Sequence, residues 1–269
     1  VDAAERTDGT MRLDQALFAR RLVESRTVAQ RLVKAGEVEV DGRVETRPAH
    51  PVGPEARLVV RALPRYASRG GEKLAAALAR FALDPAGLHA LDAGASTGGF
   101  TDCLLAHGAA SVHALDVGRA QLAPRLRDDP RVVPLEEVDV RRWEPPRRFE
   151  LVVADLSFIS LRLVLPALER CGADGARWIV LVKPQFEVGP GRLPKDGVVK
   201  EPRDHLQALR GVLAAALAAA LAAGLACRGL VASPIAGGEG NREFLALLER
   251  GSGHAPLDLE GLVRSDPRA

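Results

Sequence analysis

Seven short apolar runs between residues 88 and 248 constrain this chain most. They are Leu88 to Asp92, Ser111 to Asp116, Arg131 to Leu135, Leu151 to Asp155, Trp178 to Lys183, Leu225 to Ser233 and Phe244 to Leu248. Each has the length of a strand, and stretches with helical spacing lie between them. Such alternation argues a mostly parallel sheet covered by helices on both faces. Ligands of such a sheet lie beyond the carboxyl ends of its first strands. At 269 residues the chain holds this domain and a smaller one.

The first run ends in Asp92, and the chain then turns through Gly94, Ser96, Thr97, Gly98 and Gly99. Phe100, Cys103, Leu104 and Leu105 follow at helical spacing until Gly108 supplies a stop. A strand, a glycine turn and a helix N-terminus let backbone N–H groups face a ligand, and a Cβ in the turn would hold that ligand away. A phosphate loop needs Gly-Lys-Ser/Thr, which is absent, and Ser96 replaces the second glycine of the dinucleotide pattern. An acid at the strand end suits a cofactor with an ammonium and a sulfonium, such as S-adenosylmethionine. The second run ends in Asp116, where a carboxylate accepts both ribose hydroxyls. A third ends in Val138-Asp139-Val140, where an acid accepts from the adenine amino group.

Residues 1–10 are polar and expected to fray, and Met11 starts a small unit. Leu13, Ala16, Leu17 and Phe18 make one apolar helical face. Ser25 caps a second helix with Val28, Ala29, Leu32 and Val33 inward and Gly36 as its stop. A hairpin turning at Asp41-Gly42 follows, then a strand at Leu58 to Val60. Arg20, Arg21, Arg26, Arg31 and Lys34 face a single acid, Glu24, and Arg43 lies on the hairpin. Arg20, Arg31 and Lys34 can share a face that suits a phosphate backbone, or they are a solvated helix surface.

Arg12-Leu13-Asp14, the spacing to Ser25-Arg26, and Ala35-Gly36-Glu37-Val38-Glu39-Val40-Asp41-Gly42 resemble the small RNA-binding domain first described in a ribosomal small-subunit protein. That resemblance implies structured RNA as a partner, with Arg12, Arg20, Arg26, Arg31, Lys34 and Arg43 as candidate contacts. The second half resembles the ribose 2′-O-methyltransferases. Their Lys-Asp-Lys-Glu pattern falls on Lys73, Asp155, Lys183 and Glu243, with Glu239 a nearby alternative for the last acid. The whole chain is similar to the TlyA family of rRNA methyltransferases, sometimes labelled haemolysins. The resemblance implies a seven-stranded Rossmann-like α/β methyltransferase sheet behind a small N-terminal α+β RNA-binding domain. The expected boundaries are 1–62 for the RNA-binding domain, 63–67 for a linker and 68–269 for the methyltransferase domain. It further implies S-adenosylmethionine as cofactor and ribosomal RNA or ribosomal subunits, at a cytidine ribose, as substrate.

Methyl transfer to a ribose hydroxyl needs no metal, but the hydroxyl must lose or share its proton. Lys183 is the expected acceptor, oriented by Asp155, while Lys73 and Glu243 position the ribose. A lysine, near pKa 10.4 in isolation, needs burial or a cationic neighbour to act so, and Lys73 beside Lys183 is expected to provide one. The Gly- and Pro-rich stretch Gln185 to Glu201 is expected to be a mobile lid. Amino-methylating enzymes carry prolines where Asp155-Leu156-Ser157-Phe158 stands, and base C5-methylation needs a cysteine near this loop.

Composition excludes other classes. Net charge is +2, so any nucleic-acid face must be local. Cys103, Cys171 and Cys227 lie far apart, which gives neither a disulfide framework nor zinc spacing, and a reducing cytoplasm is the expected setting. The first twenty residues are too polar for a secretory signal. The Ala-rich run Val212 to Cys227 reads as a sheet-packing helix rather than a membrane span. No lytic amphipathic helix and no obligate protein partner are expected. The rival to an enzyme is a non-enzymatic RNA-binding or membrane-active haemolysin-like protein.

Overall fold

In the computed structural model, residues 9–61, 65–187, 224–237, 241–253, 255–258 and 261–262 are described. They divide into two units, Val1–Pro64 and Arg65–Ala269.

In the first unit the elements are β1 (Met11–Arg12), α1 (Leu13–Ala19), α2 (Arg26–Lys34), β2 (Val38–Val40), β3 (Arg43–Val44), β4 (Pro51–Val52) and β5 (Leu58–Val60). Ser25 caps α2 as expected, its Oγ accepting from Val28 N at 3.2 Å. The hairpin turn has positive φ at both Asp41 and Gly42, the pairing that matches strand twist. Strands β3, β2 and β5 form one small sheet, and β1 pairs with β4. Leu13, Ala16, Leu17, Ala29 and Val33 are fully buried between the helices and strands. Phe18, expected on that apolar face, is 48% exposed, because it lies one residue beyond the inward stripe of Leu13, Ala16 and Leu17.

The second unit continues with α3 (Arg69–Arg80), β6 (His89–Ala93), α4 (Gly99–Ala106), β7 (Ser111–Leu115), α5 (Pro124–Arg127), β8 (Val132–Leu135), β9 (Phe149–Ala154), α6 (Leu161–Cys171), β10 (Gly172–Val182), α7 (Pro184–Glu187), β11 (Leu225–Ala232) and β12 (Phe244–Arg250). All seven expected strands form one sheet in the order β11-β12-β10-β9-β6-β7-β8. Strand β12 runs antiparallel to both its neighbours, and the remaining recorded pairings are parallel. Side chains alternate between two cores, as a pleated strand requires. Leu91, Val152, Ala154, Val180 and Phe244 meet α6 on one face. Ala90, Leu151, Val153, Ile179, Leu181 and Leu245 meet α3 and α4 on the other. Burying residues of the size of Trp178, Phe149 and Phe244 stabilises such a sheet by roughly 1.5–3 kcal/mol each.

Tyr66 and Ala67, read from sequence as linker, belong to this unit. Tyr66 is 2% exposed, and a Cβ on Gly71 would come within 2.3 Å of its ring. Ala67 N donates to Asp102 Oδ2 at 2.7 Å. Residues 188–223 and 238–240 lie outside the described residues. They hold most of the expected lid, most of the Ala-rich run and Glu239. Within the expected lid, Gln185 to Glu187 fall in α7. Leu225 to Cys227, the end of the Ala-rich run, are strand. Among the described residues no helix is long and apolar enough to cross a membrane.

Candidate active site

The chain leaves β6 toward β7 on one side and returns to β9 on the other, so the direction of winding reverses between β6 and β9. A crevice opens at such a point. Strand parity decides which charges face it. Asp92 shares a sheet face with Ala90, Asp155 with Leu151 and Val153, Lys183 with Ile179 and Leu181, and Glu243 with Leu245 and Leu247. Those apolar residues all belong to the layer under α3 and α4, and Lys73 is on the buried side of α3. Four expected catalytic residues and the buried acid therefore meet at one end of one face. The antiparallel register pairs Val182 with Phe244, which brings Lys183 level with Glu243.

The charges are arranged as two ion pairs. Lys73 Nζ donates to Glu243 Oε2 at 2.5 Å, and both residues are buried. Glu243 fits because residue 237 is glycine: a Cβ there would come 2.2 Å from Oε1. Lys183 Nζ lies 2.6 Å from Asp155 Oδ1 and donates to Ser157 Oγ at 2.8 Å. Each lysine thus has a carboxylate that orients its ammonium, Asp155 for Lys183 as expected and Glu243 for Lys73. Ser157 was not singled out from sequence, since a serine in a polar loop carries no periodic signal.

Asp92 is fully buried. Thr101 Oγ1 donates to its Oδ2 at 2.7 Å, and Oδ1 has no partner. Burial pushes its carboxyl up to about 7; the Thr101 hydrogen bond opposes this, and the charges of Asp155 and Asp116 add to it. A cavity of about 500 Å³ is lined by Gly94, Ser96, Asp116, Asp139, Asp155 and Phe158 among others, but not by Asp92. Asp116 Oδ2 accepts from Ser96 N at 2.8 Å and Oδ1 from Gly118 N at 2.7 Å, so it is aimed while keeping lone pairs for a ligand. Thr97, Gly98 and Gly99 are not among the residues lining this cavity.

Two expectations need correction here. The turn glycines make room for protein atoms before any ligand. A Cβ at Gly94 would lie 2.5 Å from Asp155 O, one at Gly98 2.4 Å from Leu126, and one at Gly99 2.0 Å from Ser68 Oγ. Gly94 and Gly98 also have positive φ. Asp139 is not at a strand end, because β8 stops at Leu135 and Asp139 follows in a loop. It still lines the cavity, with both oxygens bonded by Arg141. The Arg141 hydrogen bonds hold its carboxyl down at about 2.

Phe158 is a feature that sequence patterning missed. It is 91% exposed, has φ of 63°, and its ring centroid lies 5.3 Å from that of Phe186. A bulky side chain in the left-handed region is strained and persists only where its surroundings hold it. Glu187 provides such a hold, accepting from Ser160 Oγ at 2.6 Å and from Leu161 N at 2.7 Å.

The candidate RNA contacts of the first unit separate into two groups. Arg20 donates to three carbonyls, Ala56 O at 2.5 Å, Gly53 O at 2.9 Å and Pro54 O at 2.8 Å. It braces a loop, and does not share an open face with Arg31 and Lys34 as expected. Arg12 and Arg26 both bond Asp14, which is fully buried and also accepts from Gln30. Burial alone would raise the Asp14 carboxyl, but these hydrogen bonds outweigh it and hold it well below the usual range. Arg12 and Arg26 remain about half exposed, Lys34 and Arg43 are exposed, and Arg31 is partly buried.

Residues 66–250 match the FtsJ-like methyltransferase family, and residues 11–58 match the S4 domain. The chain is 46% identical over 263 residues to the 16S/23S rRNA (cytidine-2′-O)-methyltransferase TlyA of Mycobacterium tuberculosis, covering 96% of each. It is 38% identical to Hemolysin A of Brachyspira hyodysenteriae, covering 88% of this chain and 98% of that one. A solved structure from Streptococcus thermophilus that carries a hemolysin label superposes with a TM-score of 0.73 at 39% identity, covering 94% of both chains. Fold, strand-end charges and near full-length identity agree, and the chain belongs to the TlyA family, an S4 domain followed by an FtsJ-like methyltransferase domain.

Proposed function

We propose that this protein transfers a methyl group from S-adenosylmethionine to the 2′-hydroxyl of a ribose, a cytidine ribose, in ribosomal RNA. The observation that carries the reading is the pair of lysine–carboxylate contacts, Lys183–Asp155 and Lys73–Glu243, gathered at one end of one sheet face, where Asp155 also lines a cavity. The cavity fits the cofactor. Its volume is that of a small-molecule site, Asp116 is aimed with lone pairs to spare, and Asp92 Oδ1 is a buried acceptor that a ligand ammonium answers. In this reading Asp116 holds the ribose end, Asp139 with Val138 and Val140 lines the adenine end, and Asp92, buried outside the lining, answers the ammonium through Oδ1. Bound there, the cofactor supplies an electrophilic methyl on a sulfonium.

The chain's own residues then do the rest. Lys183, as the free amine, takes the proton from the ribose hydroxyl, and Asp155 holds the ammonium that results. Lys73 and Glu243 fix the ribose near the methyl donor. The exposed ring of Phe158 suits stacking on a base, which favours RNA over a small alcohol as substrate. The S4 domain supplies phosphate contacts through Arg12, Arg26, Arg31, Lys34 and Arg43. An rRNA substrate supports a setting where ribosomes are made, and three widely separated buried cysteines accord with a reducing one.

The test is methylation of purified ribosomal subunits with labelled cofactor, followed by alkaline hydrolysis. The expected product is one labelled dinucleotide that resists cleavage at a 2′-O-methylated cytidine. Label recovered in a mononucleotide, as a methylated base would give, or no label in either subunit, rejects the reading and leaves RNA binding or membrane lysis to be assayed.

A further inference from the structure

The neighbours of Lys183 differ in what they fix. Nζ lies 2.6 Å from Asp155 Oδ1, but that oxygen is out of line for a hydrogen bond. Nζ donates to Ser157 Oγ at 2.8 Å with proper geometry, and the Phe186 ring lies 6.0 Å away. Of the other charged residues on this face, Lys73 and Glu243 are bonded to each other and Asp92 accepts from Thr101. Asp155 thus supplies charge, and Ser157 supplies direction.

We propose that Ser157 is a positioning residue for methyl transfer: its hydroxyl oxygen fixes the direction in which the Lys183 amine presents its lone pair to the ribose. This rests on the reading of Lys183 as proton acceptor. A free amine has two N–H bonds and one lone pair at roughly tetrahedral angles. One N–H directed at Ser157 and a second drawn toward the Asp155 carboxylate leave the lone pair the third direction. Without Ser157, rotation about the Cε–Nζ bond spreads the lone pair over several directions. In the reaction the ribose O–H bond breaks and a third N–H forms on Lys183. The oxygen's electron pair makes the new C–O bond while the electrons of the C–S bond leave with sulfur. The proton acceptor must be aimed at that moment, because a misplaced base loses most of its contribution.

The fold holds the serine against the lysine. Ser157 is in the loop between β9 and α6, and Lys183 immediately precedes α7. That loop and α7 are clasped by the Phe158–Phe186 ring contact and by Glu187, which accepts from Ser160 and Leu161. Ser157 itself is exposed, so the loop tolerates a methyl or a larger side chain there.

Steady-state kinetics of the full chain with ribosomal subunits and S-adenosylmethionine test the proposal. Ser157→Ala should lower kcat about tenfold, part of the roughly 10²–10⁴-fold that a positioned base contributes, with KM for both substrates and Tm unchanged. Ser157→Thr keeps the hydroxyl and should recover kcat to within about twofold of the parent. An unchanged kcat for Ser157→Ala, or a threonine enzyme as slow as the alanine one, overturns the proposal. Lys183→Ala, assayed in parallel, separates the two readings. If it still turns over, the base assignment itself fails; if it is inactive while Ser157→Ala is normal, only the role of Ser157 falls.

Discussion

The methyltransferase unit and the S4 unit use their charged residues in opposite ways. At the strand ends, Asp92, Lys183, Glu243 and the α3 residue Lys73 are buried, and the lysines are matched to carboxylates within one small region. In the S4 unit, Arg20 is used up by three loop carbonyls and Asp14 engages both Arg12 and Arg26, while Lys34 and Arg43 stand exposed. A charge at a strand end has its direction set by the pleat, so its position is close to a statement of role. A charge on a short helix has only a face, and the fold can turn that face to its own use.

The largest expected effect is at the strand ends. Lys183→Ala should cost roughly 10²–10⁴-fold in kcat while RNA and cofactor affinities stay near those of the parent. Lys183→Arg should be almost as slow, since arginine keeps the charge but cannot accept a proton near neutrality. Rate, affinity and Tm measured for both variants decide the matter. A fast arginine enzyme would reduce Lys183 to an electrostatic residue and erase the contrast between the units.

Arg20 gives the next largest effect, and it is one of stability. Removing a guanidinium that satisfies three carbonyls leaves those acceptors without their charged donor, at about 1.5–3 kcal/mol for a hydrogen bond to a charged group. Arg20→Ala should lower the unfolding midpoint of the S4 unit and weaken RNA binding as a consequence. If it weakens RNA binding with an unchanged midpoint, Arg20 belongs with the open cations after all.

What the sequence makes legible follows the same division. Short apolar runs located all seven strands, and the residue ending a run in this fold faces the crevice, so Asp155 and Lys183 were readable from spacing and the family pattern. Asp139 misled because the chain runs four residues past Leu135 before reaching it, through a positive-φ Glu137 that no apolar pattern announces. Tyr66 read as linker because its burial depends on Gly71, which lies across a turn and on a helix yet to form. The Arg20 clamp needs the path of residues 53–56, and the exposed Phe158 needs a backbone angle that phenylalanine rarely adopts. Neither has a local signature.

Asp92 sharpens the contrast through pH. Its folded value of about 7 lies above the roughly 3.9 of an unfolded aspartate, so the native state binds this proton more tightly. The stability this gives is present in full below the unfolded value and is lost as pH rises through about 7. Asp92→Asn should therefore raise Tm at pH 8 relative to the parent and flatten the pH dependence of stability. Cofactor binding should move the other way. A ligand ammonium favours the carboxylate, so parental affinity should rise with pH through about 7, and the variant should lose about 1.5–3 kcal/mol of it. Parallel pH profiles for the two proteins in calorimetric titrations would remove Asp92 from the cofactor site.

The smallest expected effects belong to the open cations of the S4 unit. Lys34→Gln and Arg43→Gln should leave Tm and cofactor affinity unchanged, because neither side chain has a structural partner to abandon among the contacts described above. Each should lower rRNA affinity only a few-fold at moderate salt. The signature is the salt dependence: each phosphate contact releases counterions, so removing one should reduce the slope of log affinity against log salt by about 0.7–0.9. The double variant should lose about twice that, since contacts to separate phosphates are nearly additive. Arg20→Ala, by contrast, should weaken binding through partial unfolding, and a stabilising osmolyte that restores the fold should restore its affinity. Filter binding across a salt series, with and without osmolyte, therefore sorts the basic residues into those that hold the domain and those that hold the RNA. If Lys34→Gln and Arg43→Gln leave the salt slope intact, the RNA face lies elsewhere on the unit, and the half-exposed guanidiniums of Arg12 and Arg26 are the next to be tested.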